Sequence, residues 1–307
     1  MTPAAGVVSR RGARRIRIPE PWLYLGPALL WFLMFSVFPL VYTINMSLRD
    51  WGSADQPFVG LANYAEMISD PSLYQSLRTT AIFALGAISL SFALGFAIAL
   101  LLANDDLVCK AFFRSILILP YVISDVVVGI SFRLMFHPIL GVMNYVLGTR
   151  GWDWFGSPNL ALTSIILAVV WHLTPFFTII LLAGLLSLPK EPYEAARIDG
   201  AGSWRLFRHL TPPMMRPVCQ VVLLMGVIDV VKVFAIVFTT TDGGPARLTE
   251  VVGMYVFRTG FRYYRLDYAS AMALGVVVAV AILAFLAMRA LSERAGAALV
   301  PSEVGRR

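Results

Sequence analysis

The sequence predicts an all-α integral membrane protein of six transmembrane helices, with both ends of the chain on one side of the bilayer. Three observations carry this. Hydrophobic residues fill 58% of the 307 positions and charged residues only 14%, and the mean hydropathy of +0.75 lies far above that of an ordinary globular domain. Six apolar segments reach the length of about 20 residues that a hydrocarbon core of about 30 Å demands of a helix. The 25 lysines and arginines fall unevenly on the stretches between those segments, which sets an orientation.

The first segment, 22–44, is a full span long, contains Pro27 and Pro39 and lacks a small-residue cleavage site. It is expected to stay as a helix rather than be removed as a leader. Segment 80–103 follows, then 112–136 with Asp125 and Arg133 inside it, 160–186 with the pair Trp171 and His172, 218–239 with Asp229 and Lys232, and finally 269–291. This divides the chain into a basic arm at 1–21, a transmembrane domain at 22–291 and a tail at 292–307. Cys109 and Cys219 are far apart and next to or within apolar segments. They read as packing residues, with neither a disulfide framework nor a metal site implied.

Orientation follows from the positive charges. The arm carries Arg10, Arg11, Arg14, Arg15 and Arg17, the second connection carries Lys110 and Arg114, the fourth carries five basic residues and the C-terminal end four. The opposite side carries Arg49, Arg78, Arg150, Arg247, Arg258, Arg262 and Arg265. Sixteen against seven places both termini in the cytoplasm. The net charge of +7 is accordingly a topology signal; nucleic-acid binding would need a basic face on a soluble domain, which the sequence does not contain. In the outer segment, "YVFRTGFRYYRLDY" mixes aromatics with three arginines and suits a helix lying in the membrane interface.

The cytoplasmic connection at 190–213 has more local order than a plain linker needs. Pro192 suits a first helical turn, Glu191 and Glu194 favour its positive end, and Ala195 and Ala196 are strong helix formers. Gly200 and Gly202 break that helix; Ser203 is placed to cap a second one, in which Trp204, Phe207 and Leu210 recur every third residue. Pro212 and Pro213 stop it.

Glu194, Ala195, Ala196, Asp199, Gly200 and Ala201, followed by Trp204, Phe207, Leu210, Pro213 and Pro217, resemble the EAA loop of the membrane subunits of bacterial binding-protein-dependent ABC importers. Pro212 stands where that family usually has leucine. "FVGLANY" (58–64), "FFRSILILPYVIS" (112–124), "LLAGLLSLPKEPYEAARIDGA" (181–201) and "TDGGP" (241–245) occur in the family's order. They are similar to the carbohydrate-uptake branch, and to the first of its two permeases.

The resemblance implies a type I ABC importer-like permease in the bacterial plasma (inner) membrane. It would import a carbohydrate or polyol beside a second homologous permease, with ATPase subunits that bind ATP and Mg and a soluble solute-binding protein. The alternative is glycerol 3-phosphate or another anionic solute; a membrane-embedded enzyme is a distant one. Glu194, Ala195, Ala196, Asp199, Gly200, Trp204 and Phe207 would enter a cleft on the ATPase. An ATPase site within this chain is excluded, because Lys110, Lys190 and Lys232 follow Cys, Pro and Val, so no G-K-[ST] phosphate loop exists. His137, His172 and His209 show no ligand spacing, so neither a catalytic nor a metal site is expected.

Ionisable residues inside the bilayer cost about 2.5 to 3.5 kcal/mol at a helix centre for Asp, Lys or Arg and must face a partner or a wet cavity. Asp229 and Lys232, three apart on one helical face, are placed to neutralise each other. In the family the fifth span borders the translocation path. Asp125, Trp171, His172, Asp229 and Lys232 are therefore the candidate path residues, with Trp171 the natural stacking partner for an apolar sugar face.

Overall fold

Hydrophobic length alone is enough to make most of these segments helical, and the computed structural model, which describes residues 20–104, 107–149 and 151–298, contains five helices long and apolar enough to cross a bilayer. A bent pair brings the number to six if it counts as one span. The architecture is all-α and multi-spanning. The basic arm before residue 20 and the tail beyond Ala298 lie outside the described residues.

Helix α1 starts at Glu20 and carries the apolar span Tyr24–Ser47, with a π-helical stretch at Leu33–Val37. Short α2 (Ala62–Ser69) leads into α3 (Pro71–Ala103), which starts nine residues before the apolar run at 80. Asp70 explains that early start: its side chain accepts from the N–H of Ser72 at 2.8 Å, capping a helix whose first residue is a proline. The same carboxylate accepts from Tyr255 and Tyr268 at 2.6 and 2.7 Å, tying the start of α3 to the last third of the chain. Burial pushes the Asp70 carboxyl up, and these hydrogen bonds outweigh it to leave the group below the usual range.

The expected third span, 112–136, is not one helix. It consists of α4 (Lys110–Val122) and α5 (Asp125–Met135), bent by 94°. Ile123 and Ser124 are extended (φ −70, ψ 138 and φ −61, ψ 140), so the hydrogen-bond ladder stops at that point. After α6 (Val142–Leu147), α7 (Ala161–Leu186) forms the centre of the bundle. Two short helices, α8 (Glu191–Ile198) and α9 (Ser203–His209), precede α10 (Thr211–Val231). The expected fifth span, 218–239, is also interrupted: α10 ends at Val231 and α11 (Ala235–Thr240) resumes after Phe234 leaves helical geometry. Helix α12 (Val252–Phe257) and a π turn lead into α13 (Leu266–Ala298), whose apolar part ends at Phe285.

The core lies around α7, whose most extensive contact is with α3. Gly95 makes that approach possible, because a Cβ there would sit 3.0 Å from the Phe177 Cβ and 3.2 Å from the Thr178 backbone nitrogen. Phe83, Ile165, Phe177, Leu181 and Met215 are fully buried in this centre. Helix α1, by contrast, buries nothing along its apolar window. Cys219 is half-buried as a packing residue should be, whereas Cys109 is exposed in a left-handed turn before α4 and does not pack.

Candidate functional site

The two helix breaks meet. Helices α5 and α11, the short second halves of the broken spans, pack side by side through Gly129, where a Cβ would lie 1.9 Å from Thr239 Oγ1 and 3.3 Å from Ile236 Cα. At the N-terminal ends of both halves is a cavity of about 400 Å³ lined by Tyr121, Ser124, Asp125, His172, Asp229 and Lys232, together with Val169, Leu173, Val230, Val233 and Ile236. Four of the five path candidates thus come from three separate spans into one space. Irregular backbone at membrane depth is tolerated only where it is buried in protein or lines such a cavity.

Within it, His172 Nε2 lies 3.1 Å from Asp125 Oδ1 and Nδ1 lies 2.8 Å from the Pro120 carbonyl oxygen. Tyr121 stacks on the imidazole with centroids 5.7 Å apart and on Phe176 at 4.7 Å. The expected pairing of Asp229 with Lys232 is not made: no ion-pair contact within 4.0 Å joins them. Lys232 closes the last turn of α10, its N–H on the Asp229 carbonyl at 3.1 Å, and the two side chains face the same cavity without meeting. Trp171 is elsewhere. One residue along a helix turns a side chain by about 100°, and Trp171 packs on Phe132 at 5.6 Å and lines a separate, apolar cavity with Val127, Met135 and Leu167.

Beyond the opposite ends of α5 and α11 lies a second cavity of about 360 Å³, lined by Arg133, His137, Asp153, Thr240 and Thr241. Arg133 donates to the Thr239 carbonyl at 3.3 Å, which fixes its head at the end of the paired half-helices. The loop after Thr241 is built around Glu250, whose side chain is 1% exposed. Arg258 Nη1 approaches its Oε1 at 2.7 Å and Arg247 pairs with Oε2. Arg262 places Nη2 on both carboxylate oxygens of Asp242, at 3.0 and 2.8 Å, and Arg265 is bidentate on Glu66. The hydrogen bonds from Arg265 outweigh burial and hold the Glu66 carboxyl below its usual range. The arginines expected in an interfacial helix are therefore committed to carboxylates of the protein itself.

On the other side of the cavity, the 190–213 segment forms the two expected helices. Helix α8 ends in a Schellman arrangement: the Ala201 N–H bonds the Ala196 carbonyl at 2.9 Å, the Gly200 N–H bonds that of Arg197 at 3.0 Å, and Gly200 has φ +81. Ser203 is the first residue of α9 and makes no cap; Gly202 holds the capping position. Leu206 is buried and Phe207 half-buried against Phe96, with Tyr193 bonded to Thr211 at 3.0 Å. Glu194, Ala195 and Asp199 are exposed and Ala196 is half-buried. Trp204 is 70% exposed and Ile198 86%. Phe207 therefore anchors the segment inward, while Ile198, an apolar residue between Arg197 and Asp199 that the sequence pattern does not single out, projects outward.

Comparison with known proteins now settles the class. Residues 95–296 match the family described as the binding-protein-dependent transport system inner membrane component. The chain belongs to this family. It is 38% identical over 270 residues to the probable ABC transporter permease protein y4oQ of Sinorhizobium fredii, covering 86% of this chain and 87% of that protein. It is 34% identical over 270 residues to the trehalose/maltose transport system permease protein MalF of Thermococcus litoralis, covering 86% and 90%. A bacterial ABC transporter involved in the import of the acidic polysaccharide alginate shares its fold, with a TM-score of 0.77 at 22% identity over 89% of this chain and 95% of that one. The ABC transporter permease is thus a multi-pass membrane protein that forms the membrane half of an import system and is not itself catalytic.

Proposed function

We propose that this permease imports a carbohydrate or polyol as one half of a heterodimeric path, as the first of two permeases, with both termini cytoplasmic. ATP hydrolysis takes place on separate subunits that receive the EAA-type segment 190–213. The carrying observation is the cavity at the two breaks, where carboxylates, an ammonium, an imidazole and hydroxyls are set in an otherwise apolar wall. Such a lining suits a solute with many hydroxyls and apolar ring faces. Asp125 and Asp229 stand beside Lys232 and His172, so the lining has no cationic surplus to hold an anionic solute such as glycerol 3-phosphate, which favours a neutral sugar. The similarity to a trehalose/maltose permease supports the same class.

Proteoliposomes holding this chain with its partner permease, ATPase and binding protein test the reading. ATP hydrolysis is expected to rise when the binding protein carries a neutral sugar or polyol. Stimulation only by glycerol 3-phosphate would select the anionic alternative, and no stimulation by either would end the proposal.

Orientation is tested separately. Cysteines introduced at Gly52 and Gly151, both on exposed turns, are expected to react with an impermeant thiol reagent from outside, and one at exposed Ser203 is not. Labelling of Ser203 from outside would reverse the topology and remove the segment from the ATPase side.

A further inference from the structure

His172 reaches both halves of the broken third span. Its Nδ1 meets the carbonyl of Pro120 in α4 at 2.8 Å, and its Nε2 meets Asp125, the first residue of α5, at 3.1 Å. That carbonyl is free because of the break. In a continuous helix it would accept from the N–H of residue 124, but Ser124 is extended at φ −61, ψ 140. The bend thus exposes a backbone acceptor inside the bundle, and the imidazole, itself only 13% exposed, satisfies it.

Proton accounting goes further. A carbonyl oxygen only accepts, so Nδ1 must carry hydrogen. A neutral imidazole has one N–H, and with that hydrogen on Nδ1 the Nε2 lone pair would face a carboxylate oxygen at 3.1 Å. Two acceptors repel, so the contact requires a proton between them. The pair therefore holds one proton more than a neutral imidazole beside a carboxylate, carried either by Nε2 or by the Asp125 carboxyl. The titratable and charged groups facing the ring are Tyr121 from α4, Asp125 from α5, and Asp229 and Lys232 from α10 and its end.

We propose that His172 is a positioning residue that clasps the broken span through this shared proton. While the proton is present, the ring pins Pro120 and Asp125 to one place on α7 and holds the 94° bend that shapes the cavity. Its loss releases Asp125 and frees α5 to swing. The clasp operates whatever solute is carried.

The test uses the full chain assembled with its partner subunits. With histidine rings labelled with nitrogen-15, His172 is the signal missing from the spectrum of His172→Gln. In the parent the Nδ1 signal is expected to report an attached hydrogen and the Nε2 signal a hydrogen bond to Asp125, which Asp125→Leu removes from Nε2 alone. An Nδ1 without hydrogen, or an Nε2 signal unchanged by Asp125→Leu, overturns the proposal. Independently, in a background of Cys109→Ser and Cys219→Ser, a cysteine at cavity-lining Ser124 is expected to react with a small maleimide about tenfold faster in His172→Leu or Asp125→Leu, the scale of losing one charge-assisted hydrogen bond. A reference cysteine at Gly52 should keep its rate. Unchanged labelling at Ser124 in both clasp variants would also sink the idea, and if those variants fail to assemble, the ring spectrum of the parent still decides.

Discussion

A Glu250→Ala chain is expected to lose about 3 to 5 kcal/mol of stability, the usual consequence of removing one partner from a buried ion pair. The cost arises from what remains. Arg258, 12% exposed, would keep only the Asp242 carbonyl at 2.7 Å as a partner for a charge held out of water. Arg247 is 37% exposed and retains Ser72 and the face of Tyr255, so it tolerates the loss better. The loop depends on the same centre, for Thr249 beside Glu250 bonds Thr241 at 2.7 Å and the Gly244 carbonyl at 2.6 Å. Asp242, Ala246 and Arg247 all have positive φ (52, 46 and 65), a conformation the surrounding contacts must hold in place. Arg262→Ala is the control: that pair is 44% exposed on both sides, so the expected loss is under about 1 kcal/mol. Membrane yield and thermal unfolding of the solubilised protein compare the two. Equal stability would show that Glu250 is not the centre of the loop.

The second large effect concerns the segment proposed to dock on the ATPase. Glu194→Ala is expected to weaken association with the ATPase by about 2 to 5 kcal/mol, the cost of truncating one member of a buried charge pair across an interface. At the lower bound this is a loss of about 30-fold in affinity. Gly200→Val acts by geometry. No atom lies within 4 Å of the added Cβ, yet φ of +81 strains any branched residue by about 1 to 3 kcal/mol, so the angle between α8 and α9 changes without a clash inside the permease. Ile198→Ala and Trp204→Ala should each weaken docking as well, because both are large, apolar and exposed in the chain alone. Leu206→Ala would be uninformative, since that residue is buried in the permease itself. Pull-down of the ATPase, with the outer cysteine labels checking assembly in the membrane, measures the effect. Normal association by both Glu194→Ala and Gly200→Val would reduce the segment to a connector.

The sequence by itself determined the class and much of the layout. Apolar length is a local property, so the cores of the first, second, fourth and sixth spans could be read directly, and their helices differ from the reading mainly at the ends. Asp70 shows why the ends shift: a capping carboxylate starts α3 nine residues before the apolar run. The helix stop at Gly200 was legible too, because only a residue without a Cβ takes up such a corner at little cost, and the structure makes it a Schellman turn. Tertiary structure alone decided which polar side chains meet. Spacing put Asp229 with Lys232 and grouped Trp171 with His172. Trp171 leaves the group because one residue along the unbroken α7 turns it by about 100°, and the breaks at Ile123–Ser124 and Lys232–Phe234 bring Asp125 and the end of α10 to His172, which no single straight helix would do. The contacts of His172 with Pro120 and Asp125 lie 52 and 47 positions apart in the chain, and Glu250 meets Arg258 only after the loop folds back. Such distances are closed by packing, and no periodicity within a segment encodes them.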